Sequence, residues 1–294
     1  VRSAPLAAPA TVPLEVTATG LLLVPVTVAD GSAHRFLLDT GAHVSLLTPE
    51  LAAALGLPTA GARTARGIGE EPFTVTFARD VTLVLGGASL RLSQVGVAPV
   101  ALAGLPPVGG ILGADLFRRF VVELDFAAGR LTLHDPRRWV PPAGAEELRF
   151  ILREGMPMLP VTITPPGRAP LSARVALDTG FPKLLRLYRS FVDRHRLAAA
   201  APGAPQPRVL HGTSMGGRTS YVETRMAAVV VAGHELRDVM VTLSRELAGN
   251  ATSDRYDGLL GTAFLRAFRV VIDYPRRRLL LAPATAPSPA AAPG

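Results

Sequence analysis

Two stretches of sequence decide the fold of this chain: RFLLDTGAHVSLL at residues 35–47 and RVALDTGFPKLL at residues 174–185. Each is an apolar run, typical of a buried strand, that ends in Asp-Thr-Gly. A given tripeptide occurs by chance roughly once in several thousand positions, so two copies in matching contexts indicate a duplication. The glycine allows the backbone to turn sharply directly after each carboxylate.

The duplication extends far beyond these two motifs. ILGADLFRRFVVELDFAAGRLTL at residues 111–133 aligns without a gap with LLGTAFLRAFRVVIDYPRRRLLL at residues 259–281, and nine of the 23 pairs are identical. The order of strand, Asp-Thr-Gly, long middle segment, apolar-apolar-Gly and hairpin therefore occurs twice. We interpret the chain as two copies of one lobe.

Within each lobe the pattern predicts mainly β structure, with hairpin turns and one short helix after each Asp-Thr-Gly. TPELAAALGL begins such a helix, with Thr48 as N-cap and Pro49 at the first position, and YRSFVDRHRL is its counterpart. We predict a flexible Ala/Pro leader (1–13), an N-terminal lobe (14–136), a Pro-rich linker (137–146), a C-terminal lobe (147–283) and a flexible tail (284–294). The predicted fold class is mainly β, with two β-barrel-like lobes related by a pseudo-twofold axis.

Composition excludes several classes of function. The chain has no cysteine, so it has neither disulfides nor thiolate metal sites. Its net charge of +8 comes from scattered arginines, Lys183 being the only lysine, and aromatic residues are sparse, so we predict no nucleic-acid partner. The longest apolar runs are too short for a membrane span. The start of the sequence favours export to the periplasm or the cell exterior, with the cytoplasm as the alternative.

The two aspartates have a chemical use if the lobes pack about a twofold axis, because equivalent residues near that axis meet. Asp39 and Asp178 would then face each other. Two carboxyl groups at that range cannot both ionise easily, so the pair shares one proton. One member can accept a proton from water while the other polarises a carbonyl, which is general acid–base hydrolysis.

These motifs resemble the aspartic peptidases of the pepsin and retropepsin type, and each lobe is about the size of a retropepsin. The resemblance implies a bilobal aspartic-peptidase fold with catalytic Asp39 and Asp178. It implies support for this pair from residues of the two loops, which are Thr40, Gly41, Thr179 and Gly180. It also implies a glycine-rich flap in each lobe over the cleft, formed by Gly67, Ile68 and Gly69 in the first lobe and by Gly212, Thr213, Ser214, Met215 and Gly216 in the second.

Two residues depart from the family pattern. Phe181 follows the second Asp-Thr-Gly, where the family usually has a small residue as at Ala42, and its ring could narrow the cleft or raise the pKa of the neighbouring carboxyl. His43 is also unusual at its position, and we interpret it as a surface or hydrogen-bonded histidine.

Other motifs carry less weight. GTSMG at residues 212–216 matches the G-x-S-x-G nucleophile elbow around Ser214, but a strand pattern follows where the elbow requires a helix. HELRD at residues 234–238 lacks the second histidine of a zinc peptidase, so we predict no metal and no cofactor. Asp125 and Asp273 form a second symmetric pair, for which we predict a turn-capping role.

We therefore expect an aspartic endopeptidase that acts as a monomer on an extended peptide or protein substrate. The alternative is a catalytically silent or highly restricted peptide-binding or regulatory module with the same fold, because fold alone does not confer activity.

Overall fold

The computed structural model describes residues 6–142, 144–198 and 208–284. The predicted mainly β architecture with two lobes is confirmed. The N-terminal half contains β1 (Ala10–Pro13), β2 (Glu15–Val16), β3 (Leu22–Thr27), β4 (Ala33–Leu38), β5 (Leu46–Leu47), α1 (Pro49–Ala54), β6 (Ala60–Arg66), β7 (Pro72–Leu85), β8 (Ala88–Val97), β9 (Gly110–Leu112), α2 (Ala114–Arg119), β10 (Val121–Asp125) and β11 (Arg130–His134).

The C-terminal half repeats this order. It contains β12 (Glu146–Arg149), β13 (Ile151–Arg153), β14 (Met156–Thr164), β15 (Leu171–Leu177), β16 (Leu185–Leu187), α3 (Arg189–Arg194), β17 (Val209–Ser214), β18 (Gly217–Val231), β19 (His234–Ser244), a short 3-10 helix (Asn250–Thr252), β20 (Gly258–Leu260), α4 (Thr262–Leu265), β21 (Phe268–Asp273) and β22 (Arg278–Pro283).

Each lobe is built on an eight-stranded sheet, and the two sheets have the same topology. The order is β2-β3-β4-β9-β5-β8-β7-β6 in the first lobe and β13-β14-β15-β20-β16-β19-β18-β17 in the second. An additional pairing folds each sheet back on itself, β3 with β7 and β14 with β18. The duplication identified in the sequence is therefore also a duplication of topology, in which each strand of one eight-stranded sheet has an equivalent in the other.

A third sheet joins the lobes. Its order is β1-β11-β10-β21-β22-β12, and its central contact is an antiparallel pairing of β10 with β21. The ring of Phe117 stacks on that of Tyr274 from the other lobe, with centroids 5.3 Å apart. Buried apolar residues of both lobes consequently form one continuous core.

The interpretation of residues 1–13 as a flexible leader was wrong for residues 10–13, which form β1. Ala10 and Val12 are buried while the intervening residues are exposed, and β1 pairs with β11 along its length. Its Ala/Pro composition concealed this strict alternation. Residues 1–5 lie outside the described part of the chain.

β1 is itself part of the duplication, because β12 occupies the equivalent edge in the second half. The Leu14 amide donates to the Gly129 carbonyl oxygen at 2.8 Å, and the Phe150 amide donates to the Arg277 carbonyl oxygen at 3.0 Å. The predicted linker thus ends at residue 145, and Glu146 begins β12. Except for Ala284, the predicted flexible tail lies outside the described residues.

Helix α1 follows the predicted capping, whereas Tyr188 before α3 makes no side-chain capping hydrogen bond. The Thr48 hydroxyl accepts a hydrogen bond from the Leu51 amide at 3.3 Å, directly before Pro49 at the start of α1. Asp125 and Asp273 cap hairpin turns, as predicted, by accepting from the amides of Ala128 and Arg276. The buried carboxylate of Asp273 also binds Arg278. This second carboxylate pair is therefore structural.

Candidate active site

The two Asp-Thr-Gly loops lie at the carboxyl ends of equivalent strands. β4 leads to Asp39 and β15 leads to Asp178. The Asp39 amide donates to the Leu112 carbonyl oxygen at 3.0 Å, and the Asp178 amide donates to the Leu260 carbonyl oxygen at 2.9 Å. The apolar-apolar-Gly segments identified in the sequence therefore fix the position of both aspartates through backbone hydrogen bonds.

Thr40 and Thr179 tie the two loops together. Each backbone amide donates to the hydroxyl of the other threonine, at 2.9 Å and 3.0 Å. Each hydroxyl in turn donates to a carbonyl oxygen of the opposite lobe, Thr40 to Leu177 at 2.7 Å and Thr179 to Leu38 at 2.8 Å. Both side chains are fully buried. This network fixes the relative position of the two loops.

Glycine is required beside each aspartate. A Cβ atom on Gly41 would lie 2.8 Å from Cγ of Asp178, and one on Gly180 would lie 2.7 Å from Cγ of Asp39. The two glycine amides also donate to Oδ1 of Asp39 and of Asp178, at 2.7 Å and 2.8 Å. Each carboxyl therefore lies against the glycine of the opposite loop and is oriented by its own.

The carboxyl groups of Asp39 and Asp178 are hydrogen-bonded to each other. Burial in the floor of the cleft raises the pKa of both groups above the usual range for aspartate. The pKa of Asp178 rises further because of the negative charge of Asp39 and the hydrogen bond between them. Two coupled carboxyls of this kind hold one proton over a wide pH range.

A cavity of about 340 Å³ opens above the two aspartates, and we call it the central cavity. Its walls are largely apolar in both lobes. The N-terminal wall includes Leu46, Phe73, Val75, Phe77 and Ile111, and the C-terminal wall includes Met156, Tyr188, Tyr256 and Leu259. A cavity of this size with two carboxyls at its floor has the form of a substrate site.

Five of the predicted flap residues, Gly67, Ile68, Gly69, Met215 and Gly216, lie at the tips of two long hairpins. Residues 67–71 join β6 to β7, and Met215 and Gly216 join β17 to β18. The Gly69 amide donates to the Met215 carbonyl oxygen at 3.0 Å, and the Glu71 amide donates to the Gly216 carbonyl oxygen at 2.8 Å. The two tips therefore meet each other over the central cavity.

Each tip also contacts the opposite lobe. Ile68 packs with the cluster of Met156, Tyr188 and Tyr256, whereas Met215 packs with apolar residues of the N-terminal lobe such as Leu46. The Gly67 carbonyl oxygen accepts from the Asn250 amide at 2.8 Å. The two hairpin tips thus cover the central cavity and are each held by contacts with the opposite lobe.

The remaining predicted residues lie at the edges of the site. Gly212 and Thr213 lie on β17 and face a smaller cavity in the C-terminal lobe, while Ser214 borders both cavities. Ser214 ends β17 at a hairpin turn rather than before a helix, so it lacks the setting of a nucleophile elbow. Among the described residues, no group of three or more His, Asp or Glu side chains is arranged to bind a metal ion.

Phe181 and His43, the two departures from the family pattern, differ in their surroundings. The Phe181 amide donates a hydrogen bond that lowers the pKa of Asp178 and so opposes the effect of burial, while its ring borders the smaller cavity. His43 lies at the rim of the central cavity with its Nε2 atom 3.6 Å from Glu154, which agrees with a surface histidine.

Sequence reasoning missed the two tyrosines of the C-terminal wall. Tyr188 and Tyr256 pack with ring centroids 5.1 Å apart, and burial raises the pKa of both hydroxyls. Tyr188 stands where the first lobe has Thr48, directly before the helix that follows each Asp-Thr-Gly loop. The replacement of Thr by Tyr at this position is visible in the sequence, and it indicates that the walls of the two lobes differ.

Comparison with known proteins finds a family model and solved structures that are similar to this chain. Residues 24–116, about a third of the chain, match the family model described as aspartyl protease. The fold is similar to the crystal structure of aspartic proteinase from Irpex lacteus, with a TM-score of 0.57 and 16% identity over 96% of this chain and 99% of that one. No curated protein matches the sequence. No helix among the described residues is long and apolar enough to cross a membrane.

Proposed function

We propose that this chain is an aspartic endopeptidase that hydrolyses peptide bonds with Asp39 and Asp178, a proposal supported by its match to the aspartyl protease family model and by its fold. The observation that carries the proposal is the hydrogen-bonded pair of carboxyls, both with a raised pKa, at the floor of an apolar cavity. The coupled pair supplies an acid and a base at the same place.

The roles of the two aspartates follow from the shared proton. Burial raises the pKa of both carboxyls, so the pair holds one proton between them in the free protein, and each carboxyl also accepts a hydrogen bond from the glycine amide of its own loop. A water molecule between the carboxyls gives a proton to the ionised member as it attacks the peptide carbonyl. The protonated member gives its proton to the carbonyl oxygen, which forms a diol. The proton taken from the water then passes to the leaving amine, and the diol returns a proton to the other carboxylate as the C–N bond breaks.

The walls and the roof favour an extended peptide as substrate. The central cavity has apolar walls on both sides of the pair, and the two flap tips close over it. A peptide that lies under the flaps leaves both ends outside, which favours cleavage within a chain. Opening of the roof must precede binding, because the tips are hydrogen-bonded to each other. Both aspartates come from one chain, so a monomer has a complete site.

Peptide cleavage by wild type, Asp39→Asn and Asp178→Asn tests the proposal. We expect the wild-type protein to cleave a mixture of apolar-rich peptides, analysed by mass spectrometry from pH 3 to pH 7. Each Asn variant should lose nearly all activity, and the double variant should be scarcely worse than either single one, because the two residues act as a unit. Ser214→Ala is the control that should keep the chemistry.

Two results would contradict the proposal. Equal loss of activity in Ser214→Ala and Asp39→Asn would favour a serine hydrolase. Binding of peptides without cleavage by the wild-type protein at any pH would favour the silent peptide-binding module.

A further inference from the structure

A second cavity, of about 130 Å³, lies on the C-terminal side of the aspartate pair, and we call it the C-lobe cavity. It shares Leu102, Gly180 and Ser214 with the central cavity, so it adjoins the position of the cleaved bond. Its other lining residues are Leu21, Ala103, Phe181, Pro182, Lys183, Arg186, Gly212, Thr213, Thr219, Tyr221 and Thr242.

The strand register shows which residues around the two cavities occupy equivalent positions in the two lobes. Leu46 on β5 pairs with Ile111, and Arg186 on β16 pairs with the equivalent residue Leu259. On the neighbouring hairpin strands, equivalent residues of the two lobes are then separated by the same number of positions throughout. The apolar or small residues Leu46, Phe73, Val75, Phe77, Gly96 and Ala98 occupy the positions at which the C-terminal lobe has Arg186, Thr219, Tyr221, Glu223, Thr242 and Ser244.

At all six of these positions, an apolar or small residue of the first lobe is replaced by a polar residue in the second. The polar side chains are also held in place by neighbouring groups. Arg186 is only 6% exposed, its Nε atom donates to Oγ of Ser244 at 2.8 Å, and its guanidinium also binds the carboxylate of Glu246. Burial of a charged pair is costly, and a hydrophobic pair of similar volume is often as stable. The core therefore does not require these charges, whereas a binding role explains them.

Lys183 adds a second cation to the rim. Its Nζ atom lies 2.5 Å from Oε1 of Glu223 and 4.6 Å from the ring centroid of Tyr221, and the side chain is 43% exposed. The carboxylates that pair with the two cations, Glu223 and Glu246, are not among the residues that line the C-lobe cavity. The cavity is therefore lined by the two cations, while Glu246 is fully buried and Glu223 is partly exposed outside the lining.

The other polar groups at the wall suit an oxygen acceptor as well. Five residues that line the C-lobe cavity carry a hydroxyl group that can donate one hydrogen bond: Thr213, Ser214, Thr219, Tyr221 and Thr242. Hydrogen bonds from a guanidinium or ammonium group to a carboxylate are about twice as strong as neutral ones. The wall therefore matches a carboxylate better than an amide, and an amide better than an alkyl group.

We infer that the C-lobe cavity is a substrate subsite for an acidic side chain, Asp or Glu, on one side of the cleaved bond, opposite an apolar side chain in the central cavity. This inference rests on the proposed function and names its substrate class. An enzyme with this pair of walls cleaves between one apolar and one acidic residue, and its two lobes are chemically distinct despite their common topology.

Cleavage of a matched peptide series tests the subsite. The peptides carry Phe on one side of the cleaved bond and Glu, Gln or Leu on the other, in both orientations. We expect kcat/KM of the wild-type protein to fall in the order Glu, Gln, Leu, with about a tenfold difference between Glu and Gln. This preference should shrink as the pH falls below about 4.3, because the Glu of the peptide then becomes protonated.

Variants built from the N-terminal lobe sharpen the test. Arg186→Leu combined with Glu246→Val installs the residue type of the equivalent Leu46 and removes both buried charges together. This double variant should prefer Leu over Glu while still cleaving the Leu peptide. Lys183→Gln changes an exposed residue that folding does not need, and it should lower kcat/KM for Glu but not for Leu. Arg225→Gln removes a distant exposed cation paired with Asp238 and should change neither.

Binding separates this inference from the proposed function. Calorimetric titration of the Asp39→Asn protein with the same three peptides needs no turnover, and the Glu peptide should bind most tightly. Cleavage by wild type without preference for Glu, or with preference for Leu, overturns the subsite and leaves the peptidase standing. Tighter binding of the Glu peptide without any cleavage by wild type overturns the peptidase and leaves the subsite.

Discussion

Thr40 and Thr179 exchange hydrogen bonds across the lobe interface, each hydroxyl accepting from the backbone amide of the other. Neither hydroxyl reaches solvent, and each also donates to a carbonyl oxygen of the opposite lobe. Four hydrogen bonds thus connect the segments that carry Asp39 and Asp178. The distance between the two carboxyls depends on this connection more than on either lobe alone.

Thr179→Val should therefore destabilise the protein and reduce activity strongly. The substitution preserves shape but leaves the Thr40 amide and the Leu38 carbonyl oxygen buried without partners, and each unpaired group costs about 1–3 kcal/mol. Thermal unfolding measures the first effect, and kcat well below the melting temperature measures the second. Thr179→Ser, which keeps the hydroxyl, is the control. Equal melting temperatures for the Val and Ser variants would show that the network is not what holds the loops.

Much of this site could be predicted from the sequence because the duplication places equivalent motifs at equivalent strand ends. The aspartates, the threonines and the hairpin tips all come from short patterns with local physical meaning. β1 was missed because the Ala/Pro composition of residues 10–13 concealed alternate burial of Ala10 and Val12. The shared six-stranded sheet was missed because its central pairing joins segments about 145 residues apart.

The asymmetry of the two walls was also not predicted, for a different reason. The loop after the second Asp-Thr-Gly has one more residue than the first, so a gapless reading does not place Arg186 opposite Leu46. Only the strand register shows that the two residues are equivalent. Contacts of the flap tips with the opposite lobe have no local signature either, since they join surfaces far apart in sequence.

The buried carboxyl pair should reduce the stability of the folded protein as the pH rises. Burial and the charge of Asp39 raise the pKa of Asp178 in the folded state above its unfolded value. The folded state then binds more protons than the unfolded state, so stability is greatest below the unfolded pKa of about 3.9 and falls as the pH rises through the folded pKa.

Asp178→Asn removes this penalty and should raise the melting temperature relative to wild type at pH 7 and by less at pH 4. Each unit of difference between folded and unfolded pKa is worth about 1.4 kcal/mol. Thermal unfolding of both proteins across this range measures the difference. Asp238→Asn, at a side chain that is 77% exposed and pairs only with the surface residue Arg225, is the control for a general effect of losing a carboxylate. A variant that is less stable than wild type at pH 7 would contradict the assignment of a raised pKa.

Glu123, at the contact between the lobes, should make the stability of the folded protein depend on pH in the opposite direction. Burial would raise the pKa of Glu123, but hydrogen bonds from His134 at 2.8 Å and from Arg269 of the other lobe at 2.5 Å lower it on balance. A lowered folded pKa stabilises the protein above the unfolded pKa of about 4.3, and the gain is lost as the pH falls through the folded pKa.

Glu123→Gln should accordingly cost about 2 kcal/mol at pH 7, the value typical of hydrogen bonds to a charged group. Denaturant unfolding at pH 7 and at pH 3.5 measures the free energy of unfolding, and the difference from wild type should shrink at the lower pH. Glu235→Gln, which removes an exposed pair with Arg237, should change stability little at either pH. A cost that does not vary with pH would mean that Glu123 contributes by packing rather than by charge.

The closed roof should depend on Gly69. A Cβ atom there would overlap the backbone at Gly216, closer than van der Waals contact allows, so Gly69→Ala cannot keep the hydrogen bond from the Gly69 amide to the Met215 carbonyl oxygen. We expect faster hydrogen exchange at residues 67–71 and 215–217, lower kcat/KM through a higher KM, and an unchanged melting temperature. Gly61→Asn in the same hairpin is the control, since a Cβ at Gly61 meets no atom within 4 Å and asparagine tolerates its positive φ of 66°. If hydrogen exchange at both tips is no faster in Gly69→Ala than in Gly61→Asn, the contact between the flaps does not keep the cavity closed. Another feature of the structure then limits substrate entry.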